Sequence, residues 1–233
     1  MSVLARTLIW ESLSSVQRIP RNFFPHSNKF VRHFSSQNTC WNCGTTSGNG
    51  IFCSKCNFVQ KVDEKKDYFE ILDLPRNFNV DSNALTKKFR EMQSILHPDK
   101  FSSRSQKEQD ISLEWSSLVN KAYKTLLAPL KRGEYILEQN GVELPQDNSA
   151  LDQKFLMEMM ERNEEVDAAE TPEDLKRLQE TVKKELEELS AELSKAFDKK
   201  RLDEAVAVIV KMKYSISLGN SLKEKRRRLG FVD

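Results

Sequence analysis

The sequence predicts a mainly α protein: a small tetracysteine module, then a helical hairpin, then a three-helix antiparallel bundle. Three observations predict it. Apolar residues recur at alternating threes and fours over most of the chain beyond Asp67. Glycine is scarce, 7 among 233 residues, and 31% of residues are charged, a composition of long solvated helices rather than of a strand-rich sandwich. All four cysteines lie between positions 40 and 56.

The first 35 residues read as a mitochondrial transit peptide. Arg6, Arg18, Arg21, Lys29 and Arg32 face a single acid, Glu11. Leu4, Leu8, Ile9, Leu13 and Val16 fall on one side of a helix, as import signals require. Arg32-His33-Phe34-Ser35 resembles a matrix-protease cleavage site. The expected location is the mitochondrial matrix, with room for an additional cytosolic pool. The whole chain carries +2, so removing this segment leaves a slightly acidic body. Such a body disfavours nucleic acid as the main partner, because phosphate binding needs a net basic face. No apolar run reaches the ~18 residues that span a bilayer, so no membrane helix is expected.

Residues 38–60 form the cysteine module. Cys40-Trp41-Asn42-Cys43 and Cys53-Ser54-Lys55-Cys56 each place two thiolates on one tight turn. Two such turns facing each other make a closed tetrahedral sulfur site suited to one structural zinc ion. Gly44, Gly48 and Gly50 supply turn flexibility. Four protein sulfurs leave no open position for a catalytic water. Spacing alone does not distinguish zinc from iron. Disulfides are disfavoured in a reducing compartment, and neither CxxC opens a helix after a strand as a redox motif does.

Helices begin at Asp67. Asp67-Tyr68-Phe69-Glu70-Ile71-Leu72 makes a short first helix, broken by Pro75 and Asn77. Asp81 or Ser82 caps the second, whose Leu85, Phe89, Met92 and Leu96 form one apolar stripe. Lys87, Lys88 and Arg90 form its cationic face. Pro98 ends that helix at His97-Pro98-Asp99. A third helix carries Leu113, Leu118, Ala122 and Leu126, with Trp115, Val119 and Tyr123 beside them, up to Pro129. A shorter piece with Tyr135, Ile136 and Leu137 ends before Gly141.

A hinge is expected over Pro145, Asp147, Asn148 and Ser149, then a helix from about Ala150 to Ala169. Thr171-Pro172-Glu173-Asp174 opens the next helix, with Thr as cap, Pro in the first turn and acids behind. Leu175, Leu178, Val182, Leu186, Leu189, Leu193 and Phe197 are its inner face. After a polar turn, Asp198 to Arg201, the last helix places Leu202, Ala205, Val206, Ile209 and Met212 inward. Short turns between three such helices predict an antiparallel bundle. The first of the three carries more large apolar residues than one stripe can bury: Phe155, Leu156, Met157, Met159 and Met160. Acids surround them, including Glu158, Glu161, Glu164 and Glu165. Two outcomes stay open: deeper burial with a solvated acidic face, or an adaptable methionine-rich partner surface. The Lys223–Arg228 run reads as a solvated helix end.

The short DYF helix, the basic second helix, the HPD tripeptide and the NKAYKTLLAPLKRGEYIL run together resemble a J domain over 66–144. Joined to a bundle over 149–231 and preceded by four cysteines, they resemble the HscB family of iron–sulfur co-chaperones in its animal form. That resemblance implies a co-chaperone that is no enzyme and binds no nucleotide itself. His97, Pro98 and Asp99, with Lys87, Lys88 and Arg90, would engage a DnaK-class chaperone and stimulate its ATPase. Leu156, Met157, Met160, Glu161 and Glu164 would hold an IscU-type scaffold, with Tyr214 of KMKYSISL where the family has an aromatic contact. Ala168 departs from an acid of bacterial relatives. A general folding co-chaperone and a zinc-dependent nucleic-acid binder are the alternatives. Self-association is compatible with the sequence.

Overall fold

A computed structural model of the chain describes residues 39–46, 50–63, 65–145 and 151–231. The import reading of 1–35, the turn role of Gly48 and the hinge over Asp147–Ser149 lie outside the described residues. Among the described residues there are seven α-helices and two isolated β-bridges, and no helix is long and apolar enough to cross a membrane.

The cysteine segment folds as the same turn used twice. The first closes through a bridge between Thr39 and Thr46, the second through one between Phe52 and Val59. The residue after each second cysteine, Gly44 or Asn57, takes a positive φ of 69° or 56°. Glycine meets that geometry freely and asparagine tolerates it better than most residues.

Helix α1 (Tyr68–Ile71) starts where the Asp67 carboxylate accepts the Phe69 amide. Helix α2 (Ser82–Leu96) is capped by Asp81, which accepts the Asn83 amide. A 3₁₀ turn, Pro98–Phe101, leads to α3 (Gln106–Leu127), which opens with a reciprocal capping box between Ser105 and Glu108. Helices α2 and α3 run antiparallel: Thr86 meets Tyr123 at one end, and Ser112 Oγ donates to the Leu96 carbonyl at the other. Leu85 and Leu96 are buried, with Phe89 and Met92 packed against the same core. In α3 the inner stripe is Ile111, Trp115, Val119, Ala122 and Leu126. Leu113, expected to face inward, is 61% exposed. It sits about 160° around the helix from Trp115, and burying both faces would need a second partner layer that the hairpin lacks.

Pro129 opens α4 (Pro129–Gln139), which joins the hairpin to the bundle. The bundle consists of α5 (Gln153–Ala168), α6 (Pro172–Asp198) and α7 (Leu202–Arg228). Helix α5 begins later than Ala150, because Asp152 is its cap and accepts the Phe155 amide at 2.7 Å. Thr171 caps α6 through the Asp174 amide, as its sequence signature predicts. The bundle's core has two parts. Near the hairpin, Leu189, Leu193, Ala196, Ala205, Ile209 and Met212 belong to the same cluster as the hairpin residues. At the far end Val166, Leu175, Val182, Leu218 and Leu222 form a second cluster.

Two features fix α4 against the bundle. A Cβ on Gly133 would stand 2.9 Å from Leu193 Cδ2 and 3.1 Å from Ile209 Cδ1, so glycine permits the close approach. Beside it, buried Arg132 donates to the Leu126, Leu127 and Phe78 carbonyls, and its charge sits over the Phe78 ring. Phe78 in turn stacks on Phe197 of α6 at 5.3 Å. Burial alone pushes the Arg132 pKa down, and three carbonyls replace the carboxylate that a buried cation usually has. The Lys223–Arg228 run is more than a solvated end, since Lys225 donates to the Asp167 carbonyl and closes the end of α5.

Candidate functional site

The HPD turn projects from the α2–α3 end. His97 closes α2 with extended backbone (φ −60°, ψ 131°), the geometry that a following proline favours. Its side chain is 52% exposed and that of Asp99 is 89% exposed. His97 Nδ1 accepts the Asp99 amide at 3.3 Å and lies 3.4 Å from the Asp99 carboxylate. The turn is braced from beneath. Phe101 is buried, Ser102 Oγ donates to the Asp99 carbonyl, and Gln109 of α3 donates to the Ser102 and Arg104 carbonyls. An anion is thus held outward on a stiff support.

On α2, Lys87 and Arg90 are exposed. Lys88 is drawn to Asp73 at 2.6 Å, a partner beyond α1 that helical spacing does not reveal. That hydrogen bond raises the Lys88 pKa and lowers that of Asp73. The cationic face therefore rests mainly on Lys87 and Arg90, with Lys88 already paired.

The four sulfurs converge. Cys40 Sγ lies 3.6 Å from Cys56 Sγ, and Cys43 Sγ lies 3.8 Å from Cys53 Sγ. All four lie within 4.8 Å of one another, none in a disulfide. A tetrahedron with Zn–S bonds of about 2.3 Å has sulfur–sulfur edges of about 3.8 Å, so the four residues fit one ion. Burial opposes a thiolate at Cys40, but the backbone amides of Cys43 and Asn42 outweigh it and draw its pKa to about 6. At Cys56 the Phe58 amide favours the thiolate, yet burial and the neighbouring Cys40 and Cys43 thiols push it to about 11. Gln60 Nε2 also donates to Cys40 Sγ at 3.4 Å. Nothing in the spacing of Gln60 in the sequence marks it as part of this centre.

The third cluster is on α5. Phe155 and Met159 turn inward at 8% and 3% exposure, while Met157 and Met160 remain 56% and 66% exposed. The surplus of apolar residues therefore reaches solvent. Met157, Met160, Glu161 and Glu164 follow one another at spacings of three, one and three, so they share a helix face; Glu161 and Glu164 are exposed and Leu156 is half-buried beside them. Tyr214 of α7 meets Phe155 edge to face at 6.0 Å, and Lys211 lies over the Phe155 ring. Phe155 thus links Leu156 to the α7 aromatic, a support the sequence reading did not separate from its neighbours. An ion pair between Arg162 and Glu185 of α6 secures the helix.

Comparison with known proteins covers most of this chain. A family model described as the HSCB C-terminal oligomerisation domain matches residues 151–223. The iron-sulfur cluster co-chaperone protein HscB of Homo sapiens is 40% identical over 192 residues, 80% of this chain and 82% of that protein. The HscB homolog of Arabidopsis thaliana is 33% identical over 215 residues, 87% of this chain and 85% of that protein. The crystal structure of human co-chaperone protein HscB superposes with a TM-score of 0.78, covering 81% of this chain and 98% of that one at 40% identity. Chaperone HscB from Vibrio cholerae gives 0.63 at 31% identity, over 70% of this chain and 99% of that one. On sequence and fold together, the chain belongs to the HscB family of iron–sulfur cluster co-chaperones.

Proposed function

We propose that this chain is a co-chaperone in iron–sulfur cluster assembly that works as a two-ended adaptor. The 66–144 region acts as a J domain. His97, Pro98 and Asp99, with Lys87 and Arg90, dock on a DnaK-class mitochondrial chaperone and stimulate its ATPase. The bundle over 149–231 carries an IscU-type scaffold on Leu156, Met157, Met160, Glu161 and Glu164, with Tyr214 at the edge. The names of the relatives support the pathway. The observation that carries the division of labour is the simultaneous exposure of the Asp99 turn and of Met157 and Met160 on separate elements.

The turn's role is to bias the partner between two conformational states, and charge sets the approach. The turn acts by docking and performs no reaction of its own. On α5, methionines supply adaptable apolar contact and the acids orient a basic client. Zinc is the metal we assign to Cys40, Cys43, Cys53 and Cys56; when bound it cross-links the two turns. The basic first 35 residues support import into the mitochondrial matrix.

The test separates the ends. His97→Gln abolishes chaperone ATPase stimulation and leaves scaffold binding intact. Leu156→Ala with Met160→Ala weakens scaffold binding at least tenfold and leaves stimulation by the free co-chaperone intact. If each folded variant lost both activities, the adaptor reading would be wrong.

A further inference from the structure

The sulfur centre and the HPD turn hold the first half of α3 from two sides. Gln60 stands at the junction on the metal side. Its side-chain amide donates to Cys40 Sγ at 3.4 Å and to the Phe58 carbonyl at 2.7 Å. Its backbone amide donates to Ile51, and its carbonyl accepts the Trp115 indole N–H at 2.8 Å. Trp115 is 3% exposed on the inner stripe of α3. One to two turns earlier along α3, Ser112 holds the end of α2 and Gln109 holds the loop after the HPD turn. Near the start of the helix, Lys107 lies 4.1 Å over the Trp41 ring of the first cysteine turn.

The cysteine turns carry little buried apolar surface of their own. Among the described residues from 39 to 62 only Cys40, Cys53 and Val59 are buried; Trp41, Ile51, Phe52 and Val62 are partly covered by the shared core, and a few backbone hydrogen bonds close the two turns. Small modules of this kind draw their folding free energy from the ion. Losing it takes the thiolate acceptor from the Gln60 side chain and loosens the turn around it, which weakens the hold of the Gln60 carbonyl on the Trp115 indole.

We infer that Gln60 is a positioning residue that couples metal occupancy of the four-cysteine centre, through Trp115 and α3, to the ordering of the His97–Pro98–Asp99 turn. The coupling itself is independent of what the turn does. Its consequence for a chaperone rests on the function proposed above.

Hydrogen exchange of the full chain tests it, zinc-loaded against chelator-stripped. Stripping speeds amide exchange severalfold over 97–116 as well as over 39–62. Gln60→Met keeps the size but lacks the donor. It loses zinc to a competing chelator about tenfold more readily, the usual effect of removing a group that supports a metal ligand. It also shifts the thiolate-to-cobalt charge-transfer band of the cobalt form. Trp115→Phe keeps the ring but not the N–H. It leaves the cobalt band unchanged, loses zinc slightly more readily because coupling is reciprocal, already exchanges faster over 97–116 when loaded, and responds less there to stripping. Exchange that rises only over 39–62 on stripping overturns the inference, as does a full response in Trp115→Phe. ATPase stimulation measured in parallel separates the two readings. Faster exchange with undiminished stimulation upholds the coupling and counts against the turn's proposed role.

Discussion

His97 and Asp99 stay in solvent because Pro98 ends α2 at Leu96 and Phe101 anchors the turn in the core. Removing the charge alone therefore leaves the fold untouched. Asp99→Asn should keep the thermal midpoint of the parent while losing ATPase stimulation, read by calorimetry and by phosphate release. Tyr135 is the opposite kind of residue. Its hydroxyl accepts the Tyr68 amide and donates to Asp67, and its ring stacks on Tyr68 at 4.4 Å. Burial, with the Asp67 charge, pushes its pKa from 10.0 to about 12. A raised folded-state pKa means that the neutral phenol stabilises the fold fully below pH 10 and that this contribution fades as pH climbs toward 12. Tyr135→Phe should cost about 1–3 kcal/mol at neutral pH, because it leaves the Tyr68 amide without an acceptor. The difference from the parent should shrink between pH 10 and 12 in urea titrations.

Helix α4 is the element that makes hairpin and bundle one body, and Gly133 sets how closely they approach. Gly133→Val should overpack Leu193 and Ile209 and cost about 1–3 kcal/mol, seen as a lower urea midpoint. Chelation, by contrast, should leave the far-UV helical signal nearly intact, since no described helix lies between 39 and 63. Local signals explain what the sequence disclosed about these elements. The leucine ladder of α6, the Thr171-Pro172 start and the Asp81 cap act through residues within a turn of one another, so spacing reveals them. The Lys88–Asp73 pair, the Arg132–Phe78–Phe197 chain and the Gly133 contact join residues 15 to 119 positions apart in sequence, and no periodic pattern encodes them. The inward stripe of α3 was legible only in part: Leu113 is apolar like its neighbours, but the helix has room for one buried face. On α5 composition announced a surplus of apolar residues, and only packing against α7 decided that Phe155 and Met159 go in while Met157 and Met160 stay out. The sulfur tetrahedron was legible from spacing; the Gln60 link to α3 was not.

Over the whole molecule, charge is segregated. Helix α5 and its flanks, residues 150 to 170, carry seven acids against Lys154 and Arg162, while α2 and the turn present Lys87 and Arg90 beside Asp99. A client steered by the acidic face should associate more slowly as salt rises, since exposed charges are screened beyond about 10 Å at 0.1 M. Glu161→Lys with Glu164→Lys should lower the association rate of an IscU-type scaffold and flatten its salt dependence, leaving the dissociation rate less affected in stopped-flow measurements. Because α4 and the shared core fix the hairpin to the bundle while α5 packs on α7, the proposed adaptor should hold both partners at once. The most direct measurement is mass determination by sedimentation of the co-chaperone with an ATP-trapped, hydrolysis-deficient DnaK-class chaperone and the scaffold together. A ternary complex with one of each is the expected result. Two binary complexes that exclude one another would contradict the adaptor account.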